Sequence, residues 1–261
     1  MNITFIGSGN VATHLALALH GCGHTIQQVW SRDLEHAELL AQRVEADPIN
    51  HFQWLRKNAD VYIVAVTDDA LFDIALDLQV GNALVLHTSG ATGIEVLRST
   101  STRYGVVWSP QSFVRDMALD YRQLPFCVEG CDAKTEDDIA ALVGTLSPHI
   151  HRTTLQQRQY LHLAAVMVNN FTSGLYAMAQ QLCMENQLPF EILHPIILST
   201  AKRIQYADVR YTLTGPAVRK DTRTLRAHQK LLADKPEYLE IYNKMTLLLQ
   251  EIAEEWRRQN P

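Results

Sequence analysis

The sequence has 261 residues, a formal net charge of −5 and 47% hydrophobic residues, which is typical of a globular chain that buries a substantial core. The negative charge and the lack of a basic cluster argue against nucleic acid as the main partner. No apolar run reaches the roughly twenty residues that span a bilayer, and the first strand begins too near Met1 for a targeting peptide. The 4 cysteines are scattered along the chain. We therefore expect a cytoplasmic protein.

The chain begins with a strand, a glycine-rich turn and an amphipathic helix. The strand covers residues 3–6, and the helix continues to about Gly21. In this arrangement Gly7 permits a sharp turn, Gly9 lets the backbone approach a phosphate, and Ala12 permits close packing of helix on strand. The pattern predicts a dinucleotide site, with an ordinary βα turn as the alternative. The predicted contacts are Gly7, Ser8, Gly9, Asn10, Val11 and Ala12.

The second strand, Thr25 to Trp30, ends in Ser31 and Arg32. Nucleotide-binding folds that prefer NAD place an acidic side chain at this strand end, whereas an arginine there accommodates the 2′-phosphate of NADP. We therefore predict that Ser31 and Arg32 contact NADP, and the alternative for Arg32 is an ordinary exposed cation. Asp33 is predicted to cap the helix that follows.

Further strands are predicted to end at the same edge of the sheet. Residues 61–66 form the most apolar segment, as expected for a strand covered on both faces of a parallel sheet. Ligands of open α/β sheets bind at the carboxyl ends of the strands. We therefore expect Val66, Thr67, His87 and Ser89 to contact the cofactor and Gln111 to lie near the substrate. The sequence predicts an α/β, doubly wound Rossmann domain over residues 1–152.

The remaining residues, 153–261, are predicted to form a helical domain. A long helix is predicted from Leu155 to Asn186, and its segment from Leu161 to Val168 is apolar on nearly every face, which predicts a buried helix. At 100° per residue, its polar exceptions form one stripe. These exceptions are His162, Asn169, Ser173 and Tyr176. Asp221 is predicted to cap a later helix.

Four segments resemble a known family: GSGNVA, HTSGA, HLAAVMVNNF and LTGPAVRKD. They look like Rossmann-like NADP-dependent oxidoreductases that carry a helical C-terminal domain of unknown function. These are relatives of pyrroline-5-carboxylate reductase, the 6-phosphogluconate and β-hydroxyacid dehydrogenases and the deazaflavin-dependent NADP reductases. The resemblance covers essentially the whole chain. It implies NADP as cofactor and a helical domain used for homodimerisation, but no particular substrate.

The chain departs from the β-hydroxyacid dehydrogenases, which carry a lysine and an asparagine four residues apart on the first helix of the helical domain. No lysine lies between Leu155 and Asn186 here, so a lysine-dependent alcohol oxidation does not follow. A histidine is able to exchange a proton near neutral pH, and His162 with Asn169 is therefore the predicted catalytic pair. The alternative is a histidine that is satisfied structurally within the core.

Arg219, Asp221 and His228 are further candidates for substrate binding. Arg219 and Asp221 also fit a simple ion pair across a turn, and His228 fits a core position. His149 and His151 lack a third ligand nearby, so no metal site is predicted.

Two functions remain open from the sequence. The first is an NADP-dependent oxidoreductase that acts on a small polar carbonyl, imine or hydroxy-acid substrate between the two domains. The second is a non-catalytic module that senses NADP and signals through its helical domain. The several converging polar side chains favour the enzyme. A methyltransferase is a distant third, because such enzymes place an acidic residue where Ser31 and Arg32 stand.

Overall fold

The computed structural model describes residues 1–115 and 117–259. Their strands form one sheet of 8 strands in the order β3-β2-β1-β4-β5-β6-β7-β8. The strands are β1 (Asn2–Ile6), β2 (Thr25–Trp30), β3 (Asp47–Ile49), β4 (Val61–Val64), β5 (Gly81–His87), β6 (Ser101–Trp108), β7 (Phe126–Gly130) and β8 (Ile150–Arg152). The predicted doubly wound α/β fold is confirmed.

Neighbouring strands are parallel except β6 and β7, which pair antiparallel with Trp108 opposite Cys127. The register of β1 and β4 sets Ile6 beside Val64, so the carboxyl ends of these two central strands lie side by side. Because parallel strands end at a common edge, the glycine turn after β1 and Thr67 after β4 meet there.

Helices cover both faces of the sheet. They are α1 (Asn10–Gly21), α2 (Leu34–Arg43), α3 (Asp68–Asp77) and α4 (Ala133–Gly144). One apolar core lies between the sheet and α1, α2 and α4, and the other lies between the sheet and α3. Strand β1 contributes side chains to both cores, since Ile3 and Phe5 lie in the first core and Ile6 lies in the second. Burial on both faces explains why Ile3, Phe5 and Ile6 are all large and apolar.

The chain divides into two compact units, Met1–Phe171 and Thr172–Pro261. The first unit includes helix α5 (Leu155–Ala165) and a π-helical segment, Val166–Phe171. The last strand of the sheet ends at Arg152. The predicted domain bounds, 1–152 and 153–261, stay a prediction. Helix α5 groups with the sheet because Arg158 and Gln159 bond to residues of the first unit.

The second unit is helical throughout its described part. Its helices are α6 (Thr172–Glu185), α7 (His194–Tyr206), α8 (Val209–Thr212), α9 (Thr222–Leu231) and α10 (Pro236–Gln259). Asp221 caps α9 as predicted, with its carboxylate accepting bonds from the Thr224 backbone N–H at 3.1 Å and hydroxyl at 2.8 Å. Among the described residues, no helix combines the length and apolar character needed to cross a membrane.

The predicted burial of the long helix is wrong for a single chain. Leu163 is 50% exposed, Met167 52%, Val168 74% and Phe171 60%. An apolar sequence shows that a helix avoids water, but it does not show which chain covers it.

Candidate active site

A cleft with a volume of about 820 Å³ runs along the carboxyl edge of the sheet. Its walls come from the segments that follow β1, β2, β4, β5 and β6, with His162 of α5 at one part of the rim. The predicted cofactor contacts that line it are Gly7, Ser8, Gly9, Asn10, Val11, Ser31, Arg32, Val66, Thr67 and Ser89. Ala12 lies behind the cleft, fully buried, which agrees with its expected role in helix packing.

The glycine turn has the geometry of an anion cradle. Gly7 has φ +115°, and a Cβ there would overlap the carbonyl oxygen of Ala65, so this position requires glycine. Gly9 is the N-cap of α1, no side-chain bond caps it within the described chain, and the first turn of α1 holds no acidic residue. The free backbone N–H groups and the positive end of the helix dipole therefore face the cleft, as a pyrophosphate requires.

The end of β2 presents Arg32 to the cleft. The backbone N–H of Ser31 is engaged with the Ile49 carbonyl at 3.0 Å, which leaves the Ser31 side chain for a ligand. Asp33 caps α2 as predicted, since its carboxylate accepts the Glu35 N–H at 3.0 Å. Asp33 thus has a structural partner and does not oppose the NADP pattern at Arg32. Nearby, Trp30 stacks on Phe52 with ring centroids 4.7 Å apart.

The loop after β5 lines the cleft with Thr88, Ser89, Gly90 and Ala91, but His87 itself does not reach it. The His87 side chain is fully buried, and its Nδ1 accepts the Ser89 N–H at 3.1 Å. Burial, together with the nearby positive charge of Arg158, lowers the pKa of His87 to about 3. His87 is therefore neutral and unsuited to donating a proton, and its Nε2 has no partner in the part of the chain that the structure describes.

His162 lies at the cleft with its ring against Trp108. The ring centroids are 5.8 Å apart and the planes form an angle of 75°. Gln111 lines the same cleft, whereas Asn169 is exposed within the π-helical segment. That segment breaks the 100° periodicity, so the predicted single stripe from His162 through Asn169 to Ser173 and Tyr176 does not follow from a regular helix.

The remaining predicted substrate residues belong to the second unit. Asp221 is a helix cap, and its hydrogen bonds from Thr224 lower the pKa of its carboxyl group. His228 Nδ1 lies 2.8 Å from the hydroxyl of Tyr242. Each of these two side chains thus has a structural partner. The Arg219 backbone N–H donates to the Gly215 carbonyl at 3.2 Å.

Trp108 lines the cleft but was not predicted as a site residue. Trp108 is the last residue of β6, so its position at the carboxyl edge was a usable signal. Gly90 and Phe113 also line the cleft, in the segments after β5 and β6 that the sequence places at this edge. Within residues 1–115 and 117–259, no cluster of three or more histidine, cysteine or acidic side chains is arranged to hold a metal.

Comparison with known proteins identifies the family. The model described as "NADP oxidoreductase coenzyme F420-dependent" matches residues 2–86, and a domain of unknown function, DUF2520, matches residues 124–248. BF3122 from Bacteroides fragilis, described as a candidate NADP oxidoreductase, is 34% identical, with 96% of this chain and 98% of that chain covered and a TM-score of 0.90. The chain belongs to the NADP oxidoreductase family. A search of curated proteins gave no match.

Two more distant structures share the fold of this NADP oxidoreductase. An imine reductase from Myxococcus stipitatus in complex with NADP⁺ is 16% identical, with 98% and 95% of the two chains covered and a TM-score of 0.66. A 1-pyrroline-5-carboxylate reductase from Streptococcus pyogenes is 12% identical, with 96% and 98% covered and a TM-score of 0.65. The predicted family, with its Rossmann domain and helical C-terminal domain, is confirmed.

Proposed function

We propose that this NADP oxidoreductase binds NADP(H) along the cleft of the first unit and reduces a small polar substrate beside His162. The observation that carries the proposal is one continuous cleft that contains both an uncapped helix N-terminus behind a glycine turn and an exposed histidine. The backbone N–H groups of the turn would hold the pyrophosphate, and Arg32 would pair with the 2′-phosphate. When bound, NADPH supplies a hydride.

His162 is the proposed proton donor. Reduction of a carbonyl or imine leaves a basic oxygen or nitrogen, which a proton donor must meet. Of the two histidines that the sequence placed near the nicotinamide, His87 is held neutral by burial, whereas His162 is exposed to the cleft. Asn169 is kept as a proposed partner that orients the substrate or the imidazole.

The substrate class is proposed as a small carbonyl, imine or hydroxy acid. Its imine member is supported by the two distant structures of the same fold, which are described as an imine reductase and as 1-pyrroline-5-carboxylate reductase. A metabolite panel screened for protection against thermal unfolding, with NADPH present, tests this proposal. A stabilising carbonyl or imine that also oxidises NADPH is the expected result. Ligands that stabilise the protein without any NADPH oxidation would instead favour the sensing module.

We further propose that the protein is a homodimer that buries apolar surface of its helical residues. Large hydrophobic side chains in the second unit are exposed, among them Ile192 at 66%, Ile196 at 61% and Tyr206 at 88%. Soluble monomers rarely leave so many apolar side chains in water. A second copy carries the same apolar surface and is the simplest partner that covers it.

A cytoplasmic location stays a proposal. The four cysteines are all free, as expected for thiols in a reducing compartment.

A further inference from the structure

Arg158 is a fully buried arginine one helical turn before His162. Its Nη1 donates to Glu129 Oε2 at 2.6 Å, and its Nη2 donates to the Thr92 carbonyl at 3.0 Å. The next residue, Gln159, donates its side-chain N–H to the Ala91 carbonyl at 3.1 Å. Helix α5 is thus bound to strand β7 and to the loop after β5 at the same time.

The loop after β5 is closed by its own hydrogen bonds. Ser89 Oγ accepts the backbone N–H groups of Ala91 at 3.1 Å and of Thr92 at 3.0 Å. The Ala91 and Thr92 carbonyls accept hydrogen bonds from Gln159 and Arg158 of α5. The loop that lines the cleft and the helix that carries His162 therefore form one hydrogen-bonded assembly.

Gly90 brings Trp108 into this assembly. A Cβ at Gly90 would lie 2.7 Å from Cε2 and 2.9 Å from Nε1 of the Trp108 indole, which is too close for any ordinary contact. The indole therefore lies directly on the Gly90 backbone, and the imidazole of His162 lies against the same indole. Only glycine at position 90 permits this placement of the ring.

We propose that Trp108 and Arg158 are positioning residues for His162: Arg158 fixes helix α5 to the loop, and Trp108, seated on Gly90, sets the orientation of the imidazole at the cleft. This inference rests on the proposed function for its catalytic meaning, while its geometry is testable without a substrate. A catalytic imidazole must be held closely in its productive orientation, and packing against a rigid aromatic ring does this at little entropic cost.

Tryptophan fluorescence reads out the contact, because a protonated imidazole quenches an adjacent indole. His51 and Trp54 form a second such pair, with centroids 4.8 Å apart, so the experiment uses a Trp54→Phe background. In that background we expect emission to rise with pH as the imidazole loses its proton, and we expect His162→Asn to abolish this rise. Gly90→Ala should abolish it as well, and Arg158→Lys should reduce its amplitude at least twofold, because lysine cannot serve Glu129 and Thr92 together.

Matched controls separate positioning from general damage. Gly21→Ala adds a methyl group where nothing lies within 4 Å, and Arg152→Lys alters an exposed arginine paired with Glu136 and Asp137. Both should keep the full pH-dependent rise. The inference is overturned if the background protein shows no such rise, or if Gly90→Ala and Arg158→Lys keep it while only their melting temperature falls. If quenching behaves as expected but His162→Asn retains normal turnover, the positioning stands and the proposed proton donor is wrong.

Discussion

At the scale of single residues, the histidines of the first unit differ in chemistry because their surroundings differ. His87 is enclosed by protein and has one acceptor bond, whereas His162 rests on an indole at the rim of an open cleft. Burial disfavours the charged imidazole of His87, and of these two histidines we therefore propose His162 for proton transfer. The same residue type therefore has a structural role at one position and a proposed chemical role at the other.

The lowered pKa of His87 makes the stability of the fold depend on pH. The unfolded chain takes up a proton near pH 6.5, but folded His87 does so only at about 3. The stability is therefore complete above pH 6.5 and falls by up to about 1.4 kcal/mol per pH unit as the pH drops toward 3. Denaturant titrations at pH values from 7 to 4 should show that the free energy of unfolding falls less steeply with pH for His87→Gln than for the parent protein. Exposed His151→Gln is the control, and equal slopes for the parent and His87→Gln would contradict the prediction.

Arg32 is expected to determine the preference for NADPH over NADH. Loss of a charge-assisted contact with the 2′-phosphate costs roughly 1.5–3 kcal/mol, so Arg32→Ala should weaken NADPH binding about ten- to a hundredfold. NADH binding should change little. Fluorescence titration of both nucleotides measures this, with Arg98→Ala as the control, since exposed Arg98 pairs with Glu95 at 3.1 Å. Equal losses for NADPH and NADH would remove Arg32 from this role.

His162→Ala should lower turnover by roughly 10²–10⁴-fold once a substrate is known, which is the usual contribution of a general acid. NADPH affinity should fall far less, because the glycine turn and Arg32 are the main proposed contacts. His162→Asn retains a hydrogen-bonding group but cannot exchange a proton, so it should be equally inactive. Near-normal turnover of His162→Asn in a steady-state assay would show that the histidine is structural.

Among the secondary-structure elements, the turn between β1 and α1 contains two glycines with different roles. Gly7 is required by backbone conformation, whereas a methyl group on Gly9 meets no protein atom within 4 Å. The side of Gly9 that the protein leaves open is therefore the side from which a phosphate would approach.

Gly7→Ala should destabilise the fold by at least about 1–3 kcal/mol, because backbone strain adds to the overlap of the new Cβ with the Ala65 carbonyl. Gly9→Ala should change the free energy of unfolding by no more than about 1 kcal/mol, the range of N-cap effects, yet weaken NADPH at least about tenfold. Urea denaturation and nucleotide titration of both variants test this pair. Wild-type affinity in Gly9→Ala would show that the pyrophosphate does not approach this turn.

The parallel strands were predictable because apolar runs bounded by turn residues identify them, and β2 begins and ends where expected. Strand β3 was missed because three residues give no periodicity. The π-helical segment could not be predicted from a pattern of 3.6 residues per turn. The burial of Arg158 depends on Glu129, 29 positions earlier in the chain, and no local pattern reports such a pairing. The nucleotide end of the site was therefore predictable, whereas the support around His162 was not.

For the molecule as a whole, we expect the exposed apolar side chains of the second unit to be buried in an interface with a second copy of the chain. One chain has a mass of 29.5 kDa. Light scattering at micromolar concentration should give twice this mass. Ile196→Asp, at an exposed position of α7, should shift the protein toward monomer, while Thr212→Asp, at a polar position of α8, should leave the mass unchanged. A monomer mass for the parent protein would contradict the proposed homodimer.

The antiparallel pairing of β6 with β7 has a consequence for how this enzyme tolerates change. Because β6 and β7 are antiparallel, β7 starts at the edge where β6 ends, so their connection is the tip of a hairpin and does not need to cross the sheet. Parts of that tip contact α1, since Phe113 accepts the Asn10 side-chain N–H at 3.0 Å and the Val114 carbonyl lies 2.8 Å from His14 Nε2. Its length and sequence are thus independent of the order of the strands. The length of the tip can therefore vary without reordering the sheet, but changes at Phe113 or Val114 reach helix α1 directly, through the bonds to Asn10 and His14.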